Sequence, residues 1–262
     1  MCLIIVAYQS HQSFPLVVLA NRDEYYARPT APARYWPDVP GLLAGRDLVA
    51  GGTWLGLCGQ RWAAVTNVRD TAPIPPAAKS RGLLVRDYLA GTVSPEAYLR
   101  QVCLQTEQFA GFNLLLGDGD MLCYGSNRRK CTQRLEPGVY ALSNDRLDTP
   151  WPKAVKAKRH LSVCLKAVVP DLDDAISLMS DTQLAPEDAL PSTGVSPAWE
   201  KTLSAIFITS PDYGTRSTTL LARNAQGEQR LVERRYHGSP LNWEQSDFAL
   251  TSAPGHAADN RA

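Results

Sequence analysis

The chain has 262 residues, with 27 basic against 26 acidic side chains and a net charge of +1. That balance gives no broad attraction for nucleic acid or an anionic membrane, and the length suits one sizeable core without a second domain. No apolar run approaches the roughly 18 residues of a membrane span, and Leu3 to Val6 is too short for a signal peptide, so a cytoplasmic protein is expected.

In chain order, residues 2–8 read as an apolar, β-branched strand. A turn at His11-Gln12-Ser13 leads to residues 15–20, its antiparallel neighbour, which ends in the polar tetrad Asn21-Arg22-Asp23-Glu24. Cys2 has two readings. As a small apolar residue it simply opens the strand. As the residue behind the initiator Met1, it becomes the N-terminus once Met1 is removed, and then it carries both a thiol nucleophile and an α-amine base of pKa near ~8. The hairpin brings the tetrad beside Cys2, where a carboxylate holds the amine and an Arg favours the thiolate. Neighbours on a strand point to opposite faces, so Arg22 and Asp23 both face Cys2 only where the strand bulges or ends.

Residues 27–41 and 183–198 are rich in Pro and read as irregular loops bordering a pocket, with Tyr35, Trp36 and Trp54 as its apolar lining. The run Gly51-Gly52-Thr53-Trp54-Leu55-Gly56 lacks Walker spacing and a following Lys, so it is a tight strand connection rather than a phosphate loop. Residues 62–66 form a strand that ends at Asn67, and Asn144 ends another. Each Asn is by itself a turn residue. Helices are expected over 78–89, over 95–110 behind Ser94 and Pro95, from Thr149-Pro150-Trp151 through Lys166, and over 172–179. Hairpins turn at 117–120 and at 224–227. Arg216 opens the late run Ser217-Thr218-Thr219 as a surface strand Arg. The basic stretch 128–130 reads as a solvated turn and the tail 252–262 as disordered, leaving residues 1–251 as one domain. Strands, then helices, then strands again make an α+β sandwich.

Six cysteines, at 2, 58, 103, 123, 131 and 164, form no CxxC pair, and four histidines are scattered, so neither a structural zinc nor a His-based metal centre is expected.

Met-Cys-Leu-Ile, Asn21-Arg22-Asp23-Glu24, Gly51-Gly52-Thr53-Trp54-Leu55-Gly56, Thr66-Asn67, Leu142-Ser143-Asn144 with Thr149-Pro150-Trp151, and Tyr213 to Thr218 together resemble the NRDE family, also called the transport and Golgi organisation family. That family is similar to N-terminal nucleophile hydrolases of the choloylglycine hydrolase and penicillin V acylase kind. The resemblance implies a four-layer αββα sandwich and cleavage of a linear acyl amide or thioester by Cys2, with fatty acyl groups suited to an apolar pocket. It also implies Arg22 as thiolate partner, Asp23 as amine partner, Asn67 and Asn144 as oxyanion donors, Arg216 as the late site Arg, and no cofactor. The alternative it implies is a non-catalytic carrier of haem or lipid on the same fold.

Overall fold

The computed structural model describes residues 2–72, 75, 78–119, 121–128 and 131–250, apart from the side chain of Cys131. The expected tail 252–262, the basic residues 129–130 and the turn residue 120 lie outside them. Strands β1 (Cys2–Tyr8), β2 (Leu16–Tyr25), β3 (Thr30–Tyr35), β4 (Leu42–Asp47), β5 (Leu55–Cys58) and β6 (Arg61–Asn67) precede helices α1 (Arg81–Ala90) and α2 (Pro95–Cys103). Strands β7 (Phe112–Asp118), β8 (Met121–Ser126), β9 (Cys131–Arg134) and β10 (Gly138–Leu142) follow, and then helices α3 (Pro152–Cys164), α4 (Leu172–Ser177) and α5 (Pro197–Thr202). Strands β11 (Tyr213–Arg223), β12 (Gln229–Tyr236) and β13 (Trp243–Leu250) complete the described chain.

The strands form two antiparallel sheets, ordered β10-β1-β2-β11-β12-β13 and β3-β4-β5-β6-β7-β8-β9. Strict alternation along β1 builds the layers: Leu3, Ile5 and Ala7 pack with Ala154, Leu161 and Ile176 of α3 and α4, while Ile4, Val6 and Tyr8 pack with Leu43, Leu57 and Leu115 of the facing sheet. On the outer face of the second sheet, Ala63, Val65 and Leu114 meet Leu84, Val85, Tyr88 and Leu99 of α1 and α2. Three apolar seams thus join four layers, the αββα sandwich implied by the resemblance.

Several boundaries differ from the sequence reading. The second strand does not stop before the tetrad: β2 runs on to Tyr25, because β11 pairs along its far side from Leu16 to Tyr25 and shields Asn21, Arg22 and Asp23. Residues 30–35, expected as loop, are an edge strand of the second sheet, a place that tolerates Pro32. The third helix begins at Pro152 with Trp151 as N-cap, two residues after Pro150, the expected first helical position. The second stops at Cys103, where the chain tightens into a 3₁₀ turn over Thr106–Gln108 and sends Phe109 into the core against Phe112.

Candidate active site

The hairpin between β1 and β2 aligns Cys2 with Arg22 and Leu3 with Asn21. Cys2 and Arg22 therefore share the face between the sheets, and Asn21 and Asp23 share the face toward the helices. Asn21 confirms this sidedness, since its amide donates to the Met179 and Ile206 carbonyls at 2.8 and 2.9 Å. The strand carrying Arg22 and Asp23 is regular. The bulge lies in its neighbour β11, where Thr215 faces Asp23, Ser217 faces Arg22, and Arg216 is the extra residue. Asp23 still belongs to the site, because its backbone N–H favours the Cys2 thiolate while its carboxylate takes the Thr215 hydroxyl at 2.7 Å.

Cys2 and Asp23 line a cavity of about 550 Å³ together with Arg22, Asn67, Trp54 and Arg81. Arg22 is held there from three sides, stacked 4.4 Å over Trp54, 3.8 Å from the Asp47 carboxylate and 3.3 Å from the Thr30 hydroxyl. Burial raises the Cys2 thiol above its ordinary value; the Asp23 carboxylate adds to the rise, and the Arg22 guanidinium and the Asp23 N–H act against it. Burial also raises the Asp23 carboxyl, opposed by Lys153, the Thr215 hydroxyl and Arg22.

Asn67, the last residue of β6, lines the cavity. Asn144 lies fully buried behind it, donating its amide to the Asn67 carbonyl at 2.9 Å, and Ser143 donates to the Cys2 carbonyl at 3.1 Å. Four of the six expected residues, Cys2, Arg22, Asp23 and Asn67, thus share one cavity, with Asn144 one hydrogen bond away. Arg216 is not among the lining residues. The bulge turns its guanidinium onto the Tyr25 and Arg28 carbonyls at 2.8 and 3.1 Å, so it ties down the turn that carries Arg28. Of the three expected aromatics only Trp54 lines the cavity. Trp36 is buried against Ala44, and Tyr35 is exposed beside Phe248.

The walls are more polar than expected. Arg28, Asp47, Lys79 and Arg81 face the same space, and burial lowers Arg81 below the usual guanidinium range. Lys153, which sequence reasoning passed over, is 3% exposed on the first turn of α3. In the sequence it sits within the run from Lys153 to Arg159, which reads as a solvated helix face; nothing local marks the first Lys as the inward one.

A family model described as Transport and Golgi organisation 2 matches residues 1–238. The Transport and Golgi organization protein 2 homolog of Bos taurus is 33% identical, with 96% of this chain and 100% of that protein aligned. The Homo sapiens homolog is 32% identical over 96% and 99%, and the Drosophila melanogaster protein is 23% identical over 89% and 91%. Among solved structures, the Caenorhabditis elegans N-acylethanolamine-hydrolyzing acid amidase ortholog aligns with 84% of this chain and 92% of its own, at 10% identity and a TM-score of 0.45. The match over residues 1–238, with near end-to-end alignment to the bovine and human proteins, shows that this chain belongs to the Transport and Golgi organisation 2 family.

Proposed function

We propose that this protein is a cysteine N-terminal nucleophile hydrolase acting on a linear amide or thioester of a small acyl compound, with Cys2 exposed by removal of Met1. The observation that carries this reading is the setting of Cys2: it opens onto a cavity of about 550 Å³, in register with Arg22, with the Arg22 guanidinium and the Asp23 N–H favouring its thiolate. Once the α-amine of Cys2 is free, it takes the thiol proton as sulfur attacks the substrate carbonyl. The carbonyl oxygen gains the negative charge, and the Asn67 amide stabilises it, with Asn144 holding Asn67 in place through the Asn67 carbonyl. Collapse breaks the bond to the leaving group, which receives the proton from the ammonium. Water, deprotonated by the same amine, then cleaves the acyl-enzyme thioester and regenerates the thiol.

Seven charged residues among the 18 that line the cavity favour a short or polar acyl group over a long fatty chain. The same walls fit haem poorly, since a macrocycle needs extended apolar contact, and no step of the mechanism involves it. Intact mass and mild alkylation of protein from a cytosolic host, followed by a screen of short acyl amides and thioesters, test the reading. Loss of Met1, preferential labelling at Cys2 and turnover abolished in Cys2→Ala are the expected results. Full activity in that variant overturns the mechanism. The carrier alternative is examined by haem titration, where a saturable Soret shift lost in Cys2→Ala would favour it.

A further inference from the structure

We infer that Lys153 is a positioning residue of the same site: its ammonium is the counter-charge that keeps the buried Asp23 carboxylate ionised beneath the Cys2 amine. The inference rests on the hydrolase reading only for what Asp23 then does.

The geometry starts from the sidedness of β2. Asp23 points to the helix face of the first sheet, the face that α3 covers by packing on β1 and β10. Lys153 follows Pro152 on the first turn of α3, is 3% exposed, and its Nζ has no hydrogen-bond partner among the described residues. A cation in that position is costly twice over, from lost hydration and from the positive end of the helix dipole. A Met or Leu of similar size would incur neither cost, so the ammonium needs a compensating carboxylate.

Four charged or titratable groups act on Lys153 from the surrounding elements: Asp23 of β2, Cys2 of β1, Arg69 after β6 and Glu200 of α5. Glu200 is already engaged, paired with Arg69 at 2.8 Å and accepting from the Thr193 N–H at 2.8 Å. Asp23, whose carboxylate also takes the Thr215 hydroxyl, is the strongest influence opposing the burial that lowers Lys153 to about 8. The relation is reciprocal, since Lys153 is the strongest influence opposing the burial that raises Asp23. With Asp23 ionised, the α-amine of Cys2 has a fixed acceptor; with Asp23 protonated, it loses that acceptor.

The test follows the Asp23 carboxyl by ¹³C NMR in the full-length protein, assigned by its loss in Asp23→Asn. Lys153→Met, which keeps length and removes charge, should raise the Asp23 midpoint by about one to three pH units, and Lys153→Arg should leave it near wild type. Conversely, Asp23→Asn should lower the titration midpoint of Lys153, read on a ¹³C-dimethylated sample. An unmoved Asp23 midpoint in Lys153→Met overturns the inference, and so does an unmoved Lys153 midpoint in Asp23→Asn if the first variant does not fold. Neither readout needs a substrate. A shifted Asp23 in a protein with an unreactive Cys2 would therefore uphold the ion pair while refuting the hydrolase reading. For the active protein, the acid limb of Cys2 alkylation should move up in Lys153→Met, which a merely structural lysine would not produce.

Discussion

At the Cys2 sulfur, burial disfavours the thiolate and Arg22 favours it, so reactivity depends on how firmly Arg22 is held. Replacing Arg22 with Gln should raise the thiol further and slow its alkylation at pH 7.5, by roughly tenfold for each unit of pKa. Lys at this position should restore only part of the rate, because an ammonium neither stacks flat on Trp54 nor presents a fork to Asp47 and Thr30. An unchanged alkylation rate in Arg22→Gln would remove Arg22 from the thiolate's environment. A second buried carboxyl lies nearby: Glu233, 2% exposed, accepts from the Ala33 N–H at 2.7 Å, and burial raises it from 4.5 to about 7. Between these values the folded protein holds a proton that the unfolded chain has released, so stability falls as pH rises from about 4.5 to 7. Glu233→Gln keeps the acceptor and removes the charge. It should flatten that slope and add roughly 1–3 kcal/mol at pH 8, measured by urea denaturation across pH. A slope that persists in the variant would assign the pH dependence to other groups.

At the scale of elements, the cavity wall depends on how closely α1 approaches the loop before β5. Gly51 adopts φ +73° in the turn, and a side chain at Gly52 would run into the Gly82 backbone. From the other side, a Cβ on Gly82 would lie 2.9 Å from the Thr53 carbonyl oxygen and 3.0 Å from its nitrogen. Backbone is the obstacle in each case, so the helix itself must move. Gly82→Ala should therefore destabilise by about 1–3 kcal/mol, although Ala is the better helix former by ~1 kcal/mol. Chemical denaturation decides between these effects, and a stabilised variant would mean that α1 shifts freely. The motif Gly51 to Gly56 was legible as a tight connection. Its partner Gly82 was not, because the contact spans about thirty residues of sequence and leaves no local pattern.

Across the whole molecule, the two sheets are joined near the site by buried hydrogen bonds as well as by apolar packing. Tyr124 donates to Asn113 at 2.8 Å, and Asn113 donates to the Thr66 hydroxyl at 3.1 Å and the Asp145 carbonyl at 2.7 Å. Thr66 donates to the Ser143 carbonyl at 2.6 Å, and Ser143 reaches the Cys2 carbonyl. Asn113→Leu leaves several of these groups short of a partner, for an expected loss of about 2–4 kcal/mol accompanied by slower Cys2 labelling. Loss of stability without any change in labelling would separate the clamp from the site. The alternating apolar pattern of residues 2–8, the hairpin to residues 16–20, and the placing of Cys2 beside the Asn-Arg-Asp-Glu tetrad follow from local periodicity and turn chemistry, and the sequence alone determined them. The continuation of β2 beyond Ala20, the bulge that turns Arg216 away from the cavity, the polar walls and the inward Lys153 were decided by the tertiary structure. Each depends on a partner more than a hundred residues away or on a neighbouring layer, and strand or helix periodicity specifies which face a side chain takes but not what that face meets.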